Sequence, residues 1–229
     1  MLSAVLAITL CSSSRAAIHV LGQEYPGLRL SGVDIEPRQL DFARVHLERA
    51  GVEASLTQAD ALALPFGDGS FDHVWMMWFL EHVAEPVPVL REAKRTLVSG
   101  GAITAIEVDY STVRAEPSTL ALEALFRAMV RGMDASGWSD AGTRLPGWLR
   151  EAGFREVEEG ERAFRWQGED LAGQSTYAAD VVESALEALA RLPGVDEREL
   201  RTGLEDLRGL AAKPGASLSW VMHKSSAVR

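Results

Sequence analysis

Short apolar runs and helix-period stripes alternate through the first half of this chain. "AVLAITL" (4–10), "LRLSGV" (28–33), "VEASLTQ" (52–58), "FDHVWMMW" (71–78) and "AITAIEV" (102–108) have the length and composition of buried strands. Between the second and third, Pro37 opens a helix to about Ala50, with Leu40, Ala43 and Leu47 on one face and Gly51 past its end. A second helix, from about Pro86 to Val98, carries Leu90, Ala93 and Leu97, and "SGG" (99–101) ends it. Strands and helices that alternate through short joins predict a parallel sheet covered on both faces.

The second half is mostly helical. Leu122, Leu125, Phe126, Met129, Val130 and Met133 recur at helical spacing over 117–134, and a short helix fits Pro146–Ala152. "FREVEEGERAFRW" (154–166) reads as a strand, 170–191 and 196–209 as helices, and "ASLSWVMHKSSAV" (216–228) as the last strand. Two late strands separated by helices pair most simply as antiparallel neighbours at one sheet edge. The expectation is one α/β domain over 1–229. It has a cofactor-binding half to about 110, a helical lid and substrate region to about 215 that includes the sixth strand, and a closing strand over 216–228.

Composition changes this picture little. Of 229 residues, 47% are hydrophobic and 24% charged, which is ordinary for a globular domain. The formal net charge of -10 argues against nucleic acid or an anionic membrane as the main partner, since phosphate binding draws on lysine and arginine. The single cysteine, Cys11, rules out an internal disulfide framework and fits a cytoplasmic setting. The start, "MLSAVLAITLCSSSRAA", lacks the basic residue that a signal peptide carries before its apolar run, and no other stretch suits a membrane span. Five dispersed histidines and no paired cysteine or HExxH spacing leave no metal reading.

In open α/β sheets ligands bind outside the carboxyl ends of the strands. The second strand delivers Asp34 there, an acid able to accept two ribose hydroxyls or, equally, to cap the next helix. The third delivers Asp60 and Ala61, where a carboxylate can accept from an adenine amino group while Ile35 and Leu62 flank the ring. An aspartate in such a loop can also serve the turn alone.

The set "GVDIEPRQLDFAR", "QADALALPFGDGSFDHVW", "FLEHVAEP" and "LREAKRTLVSGG", in that order over residues 28 to 108, resembles the class I S-adenosylmethionine-dependent methyltransferases. The likeness is strongest to the small-molecule branch that includes ubiquinone and menaquinone biosynthesis enzymes. It implies a Rossmann-like fold with a mostly parallel seven-stranded sheet and an antiparallel last strand. It also implies S-adenosylmethionine as cofactor and a small-molecule acceptor. On that resemblance Asp34 holds the ribose, Asp60 and Ala61 the adenine, and Met77 and Trp78 face the methionine half. His82 has the titration range to take the acceptor's proton, although a lone histidine at a helix start is also plain structure. Tyr110 and Arg114 are expected to shape the acceptor pocket.

One departure stands out. The family's G-x-G-x-G loop should fall near Leu10–Ser14, which reads "LCSSS", and its strand-end acid falls at Ile8. Glycines there permit positive φ and close backbone approach. Ser12 is the candidate to replace them. Three readings fit: an altered loop that still binds, a fold repurposed for binding or another reaction, or an opening segment of about 17 residues derived from an altered reading frame or start. A nicotinamide dehydrogenase would also want an acid after its second strand, but it leaves "QADALALPF" unexplained.

Overall fold

The structure, a computed structural model, describes residues 4–8 and 12–229, with the side chains of 6–8 and 12–17 outside the description. Seven strands form one sheet in the order β3-β2-β1-β4-β5-β7-β6. They are β1 (Ala4–Ile8), β2 (Arg29–Asp34), β3 (Ser55–Gln58), β4 (Phe71–Met77), β5 (Leu97–Glu116), β6 (Arg155–Gln167) and β7 (Ser217–Val228). β1 pairs in parallel with both β2 and β4, so the strand order reverses direction at β1. That reversal is the switch point at which such sheets open a crevice.

β7 runs against β5. Arg229 donates its backbone N–H to Gly101 O at 2.8 Å, and Val221 donates to Thr112 Oγ1 at 2.9 Å, so rising numbers on β5 meet falling numbers on β7.

The chain divides into two compact units. The first comprises Met1–Glu107, Gly142–Gly160 and His223–Arg229. In it α1 (Ser12–Glu24) and α2 (Pro37–Ala50) cover part of the sheet through Ile18, Leu47, Val5 and Leu30. α2 begins and ends where its sequence directs. Pro37 takes the first position, and Gly51 closes the helix at φ 66°, a left-handed cap that glycine adopts without steric cost. α3 (Pro86–Thr96) and α5 (Ala141–Glu151) bury Leu90, Ala93, Leu145 and Leu149.

Several boundaries differ from the sequence reading. α1 was not expected, because a serine-rich start without an acidic cap gives little helix signal. α3 ends at Thr96, and "SGG" lies inside β5, which runs for 20 residues where "AITAIEV" predicted seven. Gly100, at φ 78°, lets the chain turn within that span. α5 begins five residues before Pro146, which the helix carries in its interior.

The second unit comprises Val108–Ala141 and Glu161–Met222. α4 (Leu120–Ser136), α6 (Glu169–Ala190) and α7 (Glu197–Arg208) bury Leu122, Leu125, Leu186, Leu189, Leu204 and Leu207 in a core of its own. Thr119 caps α4 by accepting from Leu122 N at 3.1 Å and donates its hydroxyl to Asp206 on α7 at 2.6 Å. α7 approaches α4 so closely at Gly203 that a Cβ there would lie 2.4 Å from the Ala121 carbonyl oxygen. Backbone cannot yield as a flexible side chain can. Gly203→Ala should therefore destabilise the protein by about 1–3 kcal/mol, the usual cost of overpacking. Denaturant unfolding reads this as a lower midpoint with an unchanged slope.

Candidate active site at the rim of the sheet

β2 alternates inward and outward residues until Val33 and Asp34, which are both buried. Asp34 is only 3% exposed, and its Oδ1 accepts from Glu36 N at 2.8 Å. It does not cap α2: Glu36 does, its side chain accepting from Arg38 N at 3.3 Å. Burial pushes the Asp34 carboxyl above its ordinary 3.8, against the lowering effect of the Glu36 amide. A carboxyl so placed gains from further hydrogen-bond donors.

The end of β3 is tied to the end of β2. Ala59 donates to Asp34 O at 3.1 Å, and Gln58 Nε2 to Ile35 O at 3.1 Å. Asp60 then folds its own loop: Oδ1 accepts from Leu62 N at 2.8 Å, and its carbonyl accepts from Ala63 N at 3.0 Å. Asp34, Ile35, Asp60, Ala61, Leu62 and Phe79 line part of a cleft of about 120 Å³. Ile35 and Leu62 stay 54% and 51% exposed, apolar side chains left open beside two carboxylates.

The loop that follows is held by Arg95 of α3. Its guanidinium donates to the carbonyls of Phe66 (2.8 Å) and Leu64 (3.1 Å), to Asp68 (2.7 Å) and to both oxygens of Glu92 (2.7 and 2.9 Å). Glu92 in turn accepts from Leu64 N at 2.8 Å. The Arg95 hydrogen bond is the main reason that the Glu92 carboxyl is held below 4.5.

At the end of β4, Met77 pairs with Ile106, and Trp78 donates its N–H to Ile106 O at 2.9 Å. Trp78 has φ 50°, a left-handed conformation that costs a bulky residue roughly 1–2 kcal/mol. The chain then makes one short helical turn, Leu80–His82. Glu107 on β5 accepts from Phe79 N (3.1 Å) and Leu80 N (2.9 Å) through one oxygen. His82 Nε2 lies 3.4 Å from Glu81 Oε1; its side chain is 43% exposed, and partial desolvation lowers the imidazole from the ordinary 6.5.

The first unit thus gathers Asp34, Ile35, Asp60 and Ala61 at the cleft, and places Met77, Trp78 and His82 at the end of β4. Tyr110 and Arg114 belong to the second unit. Tyr110 N donates to Ser139 O at 2.9 Å, and Arg114 is exposed, its guanidinium donating to the carbonyls of Ser111 (2.7 Å) and Val113 (2.8 Å). The backbone of Ser12 opens α1, but its side chain lies outside the described residues, as do Thr9, Leu10 and Cys11. Ser12, Ser13 and Ser14 are helical, so the positive φ that glycines would have served is not required of them. Sequence reasoning missed Arg95, Glu92 and Glu107. For Glu107 a signal existed, since one acid inside the apolar run "AITAIEV" demands a partner.

The strand order, its switch at β1 and the acid at the end of β2 define the class I S-adenosylmethionine-dependent methyltransferase fold. Residues 11–105 match the family described as a methyltransferase domain. Over 88 residues it is 38% identical to the demethylmenaquinone methyltransferase of Thermus thermophilus, covering 38% of this chain and 40% of that protein. Over 134 residues it is 31% identical to the ubiquinone biosynthesis O-methyltransferase of Ruegeria pomeroyi, covering 58% of this chain and 53% of that one. The chain therefore spans about half or less of the length of these relatives. In fold it is similar to the phosphoethanolamine N-methyltransferase 2 of Haemonchus contortus solved with S-adenosylmethionine. There the TM-score is 0.57 at 18% identity, over 99% of this chain and 48% of that one.

S-adenosylmethionine is the cofactor of this class, and the rim suits it. A buried carboxyl with capacity for more donors stands beside a cleft with exposed apolar walls.

The Arg95 anchor makes a prediction. Arg95→Ala should cost about 1–3 kcal/mol at pH 7, by loss of charge-assisted hydrogen bonds. The depressed Glu92 contributes stability that is full above its ordinary 4.5 and is lost as pH falls through its lower folded value. The difference between wild type and Arg95→Ala should accordingly shrink in melts recorded below pH 4.5.

Proposed function

We propose that this chain transfers the methyl group of S-adenosylmethionine to a small-molecule acceptor. The observation that carries the reading is the buried Asp34 carboxyl at the switch-point rim, beside a cleft walled by Ile35, Leu62 and Phe79.

When bound, the cofactor supplies an electrophilic methyl group on a sulfonium. Asp34 accepts from the ribose hydroxyls, and Asp60 with Ala61 meets the adenine edge. Ile35 and Leu62 cover the ring faces. Met77 and Trp78 bound the methionine half, and the helix start at Ser12 offers backbone N–H groups to its carboxylate. His82, its imidazole lowered from the ordinary 6.5, is able to take the acceptor's proton as the methyl group moves. Tyr110 and Arg114 are assigned to the acceptor. The names of the quinone-pathway relatives make quinone-type compounds the first acceptors to try. Among the described residues no helix is long and apolar enough to cross a membrane. A cytoplasmic enzyme without a nucleic-acid partner fits the net charge of -10 and the single cysteine.

A second reading, a methyltransferase fold retained for binding or for another reaction, is favoured by the absence of glycine between residues 1 and 21. Calorimetric titration with S-adenosylhomocysteine separates the two. Binding by wild type, weakened at least about tenfold (on the order of 1.4 kcal/mol) in Asp34→Ala, supports the methyltransferase. No heat and no thermal shift at millimolar ligand support the repurposed fold.

A further inference from the structure

Dispersed along the sequence, the five histidines suggest no metal, but folding brings two of them together. His19 of α1 and His46 of α2, 27 residues apart in the chain, meet across the two helices. His19 Nδ1 lies 2.9 Å from His46 Nε2, and the ring centres are 4.9 Å apart with the planes inclined at 46°. As it stands the contact is a hydrogen bond between two imidazoles, one facing nitrogen bearing the hydrogen and the other a lone pair.

The pair is held by what lies beneath it. The sequence neighbours Ile18 and Leu47 are 1% and 3% exposed and share one core cluster with Val5 and Leu30. The rings therefore stand on packed helices, which fix a site better than loops do. Above that core the contact is open to solvent, so an ion can reach it without disturbing the packing.

Imidazole nitrogens are ligands for copper, nickel and zinc ions. A metal–imidazole bond is about 2.0–2.1 Å long, so two nitrogens whose bonds meet at an ion near a right angle lie about 2.9 Å apart. A tetrahedral ion, with its wider angle, holds them about 3.3 Å apart. The spacing of His19 and His46 is the right-angled one, which suits tetragonal ions such as copper(II) and nickel(II). Among the described residues no third histidine, cysteine, aspartate or glutamate completes the set, which leaves the other positions of the ion to water.

We propose that His19 and His46 form a two-histidine site for a divalent transition-metal ion of the nickel and copper class, and that the ion ties α1 to α2. The ring that donates the hydrogen bond takes its other tautomer, so that both facing nitrogens present lone pairs to the ion. That change needs rotation of the rings and no displacement of the helices. Neither histidine lines the cleft, and the site does not depend on the methyltransferase reading. Because the unfolded chain does not hold the two rings together, an ion bound by both stabilises the folded state.

Melts and calorimetric titrations with nickel(II) chloride, on the full chain free of any affinity tag, test the site. Wild type should melt at a higher temperature with nickel(II) present, and magnesium, a poor partner for imidazole, should leave the melt unchanged. His19→Gln and His46→Gln should each lose the nickel-dependent rise and bind the ion at least about tenfold more weakly, since a single imidazole lacks the second bond. The proposal is overturned if wild type shows no rise, if magnesium produces an equal one, or if the rise survives in either variant. Should a variant not fold, wild type loaded with one equivalent of copper(II) gives the second measurement. Electron spin-echo spectra showing two coordinated imidazoles support the site, and spectra showing one overturn it.

Discussion

Backbone amides hold Asp34, Asp60 and Glu107 at the edge of this sheet, and the shape of the site follows from that constraint. Asp34 accepts from Glu36 N, Asp60 from Leu62 N, and Glu107 from Phe79 N and Leu80 N. In each case the amide belongs to a turn that leaves a strand. The acid gains charge-assisted hydrogen bonds of roughly 1.5–3 kcal/mol each, and the turn gains a fixed form. Asp34 and Asp60, which line the cleft, therefore keep capacity for the hydroxyl and amino donors of a ligand, where an arginine partner would have consumed it.

Arg95 works from the other side of the same loop. It reaches residues 64–68 by carbonyls and by Asp68, and it leaves Asp60 to its own turn. A planar guanidinium can hold several acceptors at once, which a lysine ammonium does less well. The loop is thereby anchored away from the cleft, and the residues that line the cleft face no competing cation from this helix.

The regular part of the structure was readable from residue order. Pro37, the stripe Leu40–Ala43–Leu47 and Gly51 mark α2 to the residue, and the apolar run ending at Asp34 places an acid at the rim. What depends on pairing across long separations was not readable. β5 extends well past "AITAIEV", because β4 on one side and β7 on the other offer it partners that no local pattern announces. Glu107 reaches amides 27 and 28 residues away, and Arg95 reaches carbonyls about 30 residues away. Such contacts leave in the sequence only an acid in an apolar run or an arginine on a helix, and each has many commoner explanations.

The serine-rich segment looks different once its position is fixed. Ile8 pairs with Val33 on one side and Met76 on the other, so β1 ends level with the strands that deliver Asp34 and Met77. Four residues later Ser12 begins α1. The helix start is thus delivered to the switch point by sheet register, independently of any glycine. Since Ser12–Ser14 are helical, the absence of glycine there exacts no backbone strain in that stretch. What remains different is bulk, a Cβ and a hydroxyl where the family has neither. Bulk limits how near a ligand comes to the amides, while the positive end of the helix still favours an anion at its start. The physical question at this segment is therefore one of distance between amide and carboxylate, and not of whether the chain can adopt the required conformation.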